Sequence, residues 1–157
     1  KVQGIATAAG CQLVAACDLA VASDDSRFAT SGINVGLFCS TPSVPVSRNL
    51  GRKQAMELLL TGNFIDAHTA LQWGLVNRVV PASRLDQEVD DLAGSIMSKS
   101  WVAVATGKRM FYKQLELPLE SAYDYASGVM AGNMMADDVA EGVDAFMQKR
   151  PPVWKDR

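Results

Sequence analysis

Histidine occurs once in this sequence, at His68, and cysteine three times, at Cys11, Cys17 and Cys39. One histidine excludes a His-rich metal centre, and a Cys/His nucleophilic pair would require His68 to meet a thiol distant in sequence. The odd number of cysteines and the lack of a CxxC pair argue against a closed disulfide framework and for a reducing compartment. Charge of one sign is not in surplus: fifteen Lys and Arg face seventeen Asp and Glu, a net −2. Such a balance offers DNA, RNA or an anionic membrane no global attraction, so any anionic ligand has to be met locally. Long apolar runs are missing too. Leu58 to Leu60 and Val102 to Ala105 fall far short of the ~20 residues that a spanning helix needs. The opening Lys1-Val2-Gln3-Gly4-Ile5 shows no basic segment, apolar stretch and small-residue cleavage site in succession.

What is present suits a globular chain. Of 157 residues 48% are hydrophobic and 20% charged, enough apolar material for one core. The first third reads as strand from Val2 to Thr7, helix from Ala8 to Ala16 and strand from Leu19 to Val21, the helix carried by Leu13, Ala16 and Cys17 at i, i+3 and i+4. This alternation favours an α/β architecture. Phe28 to Leu37 is rich in small polar residues and reads as a loop in which Gly32 and Gly36 are free to take positive φ, and Pro42 and Pro45 then fix the entry to the next helix. Arg52 to Leu60 is expected to be helical with Met56, Leu59 and Leu60 on its buried face and Gly62 at its C-terminal cap. Asp66 caps a short helix that stops at Gly74, and Leu75 to Val80 is a last strand ended by Pro81. Beyond it the chain is helical, with Leu85, Val89, Leu92 and Ile96 forming one stripe and Ser83 with Asp86 a capping pair. The acid pairs Asp24-Asp25 and Asp137-Asp138 read as a turn and a helix start. Met130, Met134 and Met135 are available for intrachain core or subunit contacts.

Gly4-Ile5-Ala6-Thr7-Ala8-Ala9-Gly10-Cys11-Gln12-Leu13, followed by Cys17-Asp18, resembles the signature of the crotonase (enoyl-CoA hydratase/isomerase) superfamily. Phe28-Ala29, Gly36-Leu37, Gly51-Arg52, Leu60-Thr61-Gly62, Gly74-Leu75-Val76, Glu141-Gly142, Ala145-Phe146 and Lys149-Arg150 follow in the family's order. The resemblance implies an α/β fold: residues 1–81 as the C-terminal part of a ββα spiral core, and 82–157 as a helical trimerisation region whose helices also cover acyl-CoA. It implies homotrimers or hexamers, a mitochondrial setting in fatty-acid metabolism, and no cofactor beyond a substrate carried as a CoA thioester. Family chains are longer at the N-terminus, and that part supplies a second oxyanion donor and most of the CoA loop.

By the same resemblance the backbone N–H of Ala9 is an oxyanion-hole donor, at a helix start where N–H groups are unpaired and the macrodipole is positive. The hydratases' two catalytic glutamates fall on Gln12 and Gly32. A carboxamide cannot act as a base near neutral pH, and glycine offers no side chain. A dienoyl isomerase's aspartate would fall near Ser40, so that role is unsupported as well. Ser31, Asn34, Ser40 and Thr41 read as loop and cap residues. Gly10, Phe146, Lys149, Trp154 and Lys155 are the expected substrate-binding positions, the basic groups meeting CoA phosphates. The expected function is acyl-CoA binding without efficient hydration. One alternative is decarboxylation of a malonyl-type thioester, which needs an oxyanion hole but no base. A scaffold or RNA-binding role is the other, and the absence of an aromatic-interleaved basic stripe argues against it.

Overall fold

The computed structural model describes residues 1–155, in two compact units, Lys1–Asp91 and the residues from Leu92 on. In the first unit β1 (Ile5–Thr7) leads into α1 (Ala9–Ala16), followed by β2 (Val21–Ser23) and β3 (Arg27–Ala29). A 3-10 turn, Ser31–Val35, precedes α2 (Ser40–Asn49), α3 (Arg52–Thr61), β4 (Ile65–Asp66), α4 (Ala67–Trp73) and β5 (Arg78–Val80). Helix α5 (Leu85–Met97) follows a second 3-10 turn at Ala82–Arg84. β1 pairs in parallel with β3, Ala6 opposite Phe28, and β3 pairs antiparallel with β4. β2 pairs in parallel with β5, Ala22 opposite Val79.

The core of this unit is built from small residues around a few large ones. Phe28, Leu58 and Val46 are wholly buried, with Cys11, Ala15, Ala22, Ala55 and Ala70 closing the gaps between them. Small side chains let α1 lie close to β1 and α2.

Several boundaries differ from the sequence reading, each for a local reason. Helix α1 starts one residue late because Ala8 has φ 49°. The second strand is Val21–Ser23 rather than Leu19–Val21, since Leu19 faces solvent and the Ala20 N–H is taken by the Asn77 side chain at 2.8 Å. Pro42 falls in the first turn of α2, whereas Pro45 lies inside the helix. On α3 the buried face is Ala55, Leu58 and Leu59, whereas Met56 and Leu60 are exposed. The last strand begins only at Arg78, and Ser83 caps nothing, because the chain runs through the 3-10 turn straight into α5. Asp66 does cap α4, accepting the Thr69 N–H at 2.7 Å, and Gly62 and Gly74 end their helices in the left-handed conformation.

The second unit is helical: α6 (Trp101–Gln114), α7 (Leu119–Asn133) and α8 (Asp137–Gln148), then an extended tail. Ser100 caps α6 through the Ala103 N–H at 3.2 Å. Met130, Met134 and Met135 are exposed within it. No described helix is long and apolar enough to cross a membrane.

Candidate functional site

The turn from β1 into α1 is the most unusual backbone in the chain. Ala8 stands at φ 49°, ψ −112°, a conformation that favours glycine, and its Cβ makes it one of two non-glycine residues with positive φ among the described residues. Strain of this kind costs of order 1–3 kcal/mol and persists only where the surroundings fix it. Here two hydrogen bonds do so: the Ala8 N–H donates to the Ala29 carbonyl at 3.0 Å, and the Ala8 carbonyl accepts the Gln12 N–H at 3.0 Å. The consequence falls on the next residue. Ala9 is the first residue of α1, it is exposed, and among the described residues no protein acceptor takes its N–H. No side chain caps this helix end and no acidic residue stands in its first turn. An unpaired donor at a positive helix end is open to an oxygen that gains negative charge.

Gly10 and Gln12 share that first turn. A Cβ on Gly10 would meet only Ala6 Cβ at 3.9 Å, so packing does not demand glycine there. The Gln12 side chain is half-buried and finds no hydrogen-bond partner among the described residues.

Gly32 lies in the 3-10 turn with ordinary φ; of the two loop glycines left free to take positive φ only Gly36, at φ 80°, does so. What demands glycine at 32 is close approach. A Cβ would stand 2.7 Å from the Leu37 carbonyl oxygen and 2.8 Å from Cys39 Sγ, both shorter than such contacts ever are. Position 32 is therefore walled in by the loop itself. The nearby polar groups serve that loop: Thr7 Oγ1 and Ser31 Oγ share a hydrogen bond at 2.8 Å, and Ser40 Oγ and Asn34 Nδ2 donate to the Phe38 and Gly62 carbonyls.

The packing role of Cys39 escaped the sequence reading, which weighed cysteines as disulfide partners, metal ligands and nucleophiles. All three are free thiols; Cys11 and Cys39 are buried and Cys17 is exposed. Burial, reinforced by the neighbouring Cys39, pushes the Cys11 thiol up to about 11. No spacing rule in the sequence would have placed Cys39 against Gly32. Among the described residues no group of three His, Cys, Asp or Glu side chains is arranged to hold a metal ion.

The remaining expected binding residues belong to the second unit. Phe146 is 81% exposed on α8, and Lys149 closes that helix in the left-handed region at φ 53°. The tail beyond is tied down by two carboxylates. Arg150 donates to both oxygens of Glu141, at 2.6 and 2.9 Å, and the Val153 N–H donates to the same carboxylate at 2.7 Å. The Arg150 guanidinium, then the Val153 amide, hold the Glu141 carboxyl down to about 2. Buried Asp138 accepts from Ser100 Oγ at 2.6 Å and from the Lys155 N–H at 2.7 Å. Trp154 donates its indole N–H to the Ser98 carbonyl at 2.8 Å, and its ring lies where a Cβ on Gly142 would come to 3.5 Å. Asp138 was legible only as a helix-start acid; its burial depends on Ser100, 38 positions away.

The strand turning through small residues into a helix, on a mixed sheet with eight helices among the described residues, matches the crotonase-type fold of its structural neighbours. The chain belongs to the enoyl-CoA hydratase/isomerase family, whose sequence model matches residues 1–157. It is similar to enoyl-CoA hydratase domain-containing protein 3, mitochondrial, of Rattus norvegicus, 55% identical over 153 residues that cover 98% of this chain and 51% of that protein. The human protein of that name is 53% identical over 98% of this chain and 50% of its own length. Among solved structures, a Mycobacterium smegmatis enoyl-CoA hydratase superposes with a TM-score of 0.95 at 58% identity, covering 97% of this chain and 59% of that one. Human enoyl Coenzyme A hydratase domain-containing protein 3 superposes at 0.92 with 54% identity, covering 96% and 60%. The chain thus spans about half the length of the curated relatives it matches.

Proposed function

We propose that this chain contributes to a site that holds an acyl-CoA thioester with its carbonyl oxygen on the Ala9 N–H, and that the site does not hydrate enoyl-CoA efficiently. The open Ala9 amide at the head of α1 carries the reading. An oxyanion donor of this kind contributes about 3 kcal/mol to stabilising an enolate-like transition state. Proton transfer by a placed acid or base is worth ~10² to 10⁴ in rate. Gln12 has no proton to give or take in that range, and position 32 has no room for a side chain. Binding is retained while the base chemistry is removed. Names of the relatives favour a mitochondrial setting. Fatty-acid metabolism, assembly as trimers or hexamers, and CoA contacts from Gly10, Phe146, Lys149, Trp154 and Lys155 complete the proposal.

The crowding at Gly32 also favours a second reading. Decarboxylation of a malonyl-type thioester breaks the bond to the carboxylate, leaves its electron pair as the enolate on the donor, and takes a proton from water afterwards. No side-chain base is needed for that step.

Calorimetric titration of an enoyl-CoA into the protein, with the enoyl ultraviolet band followed in parallel, tests the first reading. Saturable binding with a slow loss of the band is expected; rapid loss would overturn it. Release of carbon dioxide from a malonyl-type thioester would decide for the second reading.

A further inference from the structure

Around the head of α1 the polar side chains are spoken for, with Gln12 the exception. Thr7 and Ser31 bond each other, and Asn34 and Ser40 donate to the Gly62 and Phe38 carbonyls. The half-buried Gln12 carboxamide bonds no described residue. A partly desolvated amide without a partner is destabilising, so a ligand group that meets it gains by doing so. Gln12 stands three residues after Ala9, on the same side of the helix, and helical side chains lean toward the N-terminus. Its carboxamide therefore lies back over the turn that the open Ala9 N–H heads. With nothing to fix it, the amide is free to turn its NH2 group or its oxygen toward a ligand.

Charge favours the NH2 group. Neither α1 nor the Ser31–Val35 turn carries a charged residue, and the Cys11 thiol, raised by burial to about 11, stays neutral beside them. A ligand oxygen that gains negative charge here meets the positive end of the helix and no carboxylate. Two kinds of thioester reach an enolate without a protein base. A malonyl type loses carbon dioxide. A 3-oxoacyl type loses a proton to water: the C2–H bond breaks, and its electron pair spreads over the thioester oxygen and the 3-oxo oxygen. In the malonyl case the carboxylate leaves from out of the plane of the forming enolate, so a donor that holds it opposes its departure. In the 3-oxoacyl case the second oxygen lies in that plane beside the first and gains charge with it, so a second donor strengthens as the enolate forms. A 3-hydroxyl group gains no such charge.

We infer that Gln12 is a specificity-determining residue that selects 3-oxoacyl thioesters, its carboxamide N–H donating to the 3-oxo oxygen while the Ala9 N–H takes the thioester oxygen. The inference rests on the thioester reading and names the acyl group that reading leaves open.

Acetoacetyl-CoA and butyryl-CoA, which differ only in the 3-oxo group, are titrated calorimetrically into the full chain, with the ultraviolet band of the enolate followed in parallel. Acetoacetyl-CoA is expected to bind at least roughly tenfold more tightly and to develop the enolate band on binding, as one hydrogen bond to an anion implies. Gln12→Met keeps the length of the side chain and removes the donor, so it should bring the two affinities together; a general weakening of the pocket cancels in their ratio. Gln12→Glu sets a carboxylate against the anion and should reverse the preference and abolish the band. Equal affinities in the wild type, a preference that survives either substitution, or 3-hydroxybutyryl-CoA bound as tightly as acetoacetyl-CoA would overturn the inference while the thioester reading stands. Failure of butyryl-CoA and acetoacetyl-CoA alike to bind the wild type would overturn that reading, and the inference with it.

Discussion

Gly32→Ala adds one methyl group at the position where crowding is most sharply defined. The new Cβ would stand 2.7 Å from the Leu37 carbonyl oxygen and 2.8 Å from Cys39 Sγ. The oxygen is backbone, in a turn closed by the Leu37 N–H donating to the Gly32 carbonyl at 3.0 Å, and the thiol is buried. Neither neighbour is the free end of a flexible side chain, so relief has to come from the loop. Overpacking of this kind costs about 1–3 kcal/mol, and two contacts place the expected loss at about 2–3 kcal/mol. Urea denaturation of the wild type, Gly32→Ala, Cys39→Ala and the double variant closes a thermodynamic cycle. Removing the Cys39 sulfur leaves only the Leu37 contact, so the methyl should cost about 1 kcal/mol less in the Cys39→Ala background. A Gly32→Ala cost within about 0.5 kcal/mol, or a cycle that is additive, would refute the claim that position 32 is closed. Gly32→Glu, which needs still more room, should leave enoyl-CoA hydration no faster than in the wild type.

Three further outcomes follow from other parts of the chain. Ala8→Gly should stabilise the fold by about 1 kcal/mol in denaturant titration, since relief of backbone strain of order 1–3 kcal/mol outweighs the roughly 0.4–1 kcal/mol of extra unfolded-state entropy. Glu141 has a folded value of about 2 against an ordinary 4.5, so its ionisation stabilises the fold above pH 4.5 and that contribution is lost as pH falls toward about 2. The denaturant midpoint should therefore drop more steeply across that window in the wild type than in Glu141→Gln, and parallel curves would contradict the assignment. Iodoacetamide at neutral pH should modify exposed Cys17 and spare buried Cys11, whose thiol is raised to about 11; peptide mapping that finds Cys11 alkylated in the folded protein would refute this.

Elements whose ends are set by their own residues were legible in the sequence. Asp66 and Gly74 bound α4, and Gly62 ends α3, because capping and left-handed glycines act within one turn. Elements whose ends are set by distant partners were not. Ala8 looks like a good helix residue, yet it is held out of the helix by the carbonyl of Ala29, 21 positions on in the sequence. The α3 stripe was read one residue out of phase because Met56, Leu59 and Leu60 match helical spacing as well as Ala55, Leu58 and Leu59 do, and only packing against Phe28 and Val46 chooses between them. At the site, sequence showed that Gln12 and Gly32 are not acids. That Gly32 is walled in by Cys39 and Leu37 needed coordinates.

The two halves of the proposal, thioester binding through Ala9 and no base at position 32, rest on different segments, and this permits a separate test of the first. The donor sits at Ala9, fixed by β1 and the bonds around Ala8, whereas Gly32 sits in the turn after β3. Replacing the Ala8–Ala9 peptide by an ester, through semisynthesis, removes the Ala9 N–H while leaving every side chain in place. That N–H has no protein acceptor among the described residues, so the fold should lose only the small amount by which the ester carbonyl of Ala8 accepts the Gln12 N–H more weakly, about 1 kcal/mol. A thioester ligand should bind roughly tenfold more weakly, the value of about 1.4 kcal/mol for one hydrogen bond to a carbonyl in a partly desolvated site. A loss of folding stability well beyond about 1 kcal/mol, with unchanged thioester affinity, would mean that the amide is satisfied within the protein. The head of α1 would then be only a tight helix-to-sheet contact.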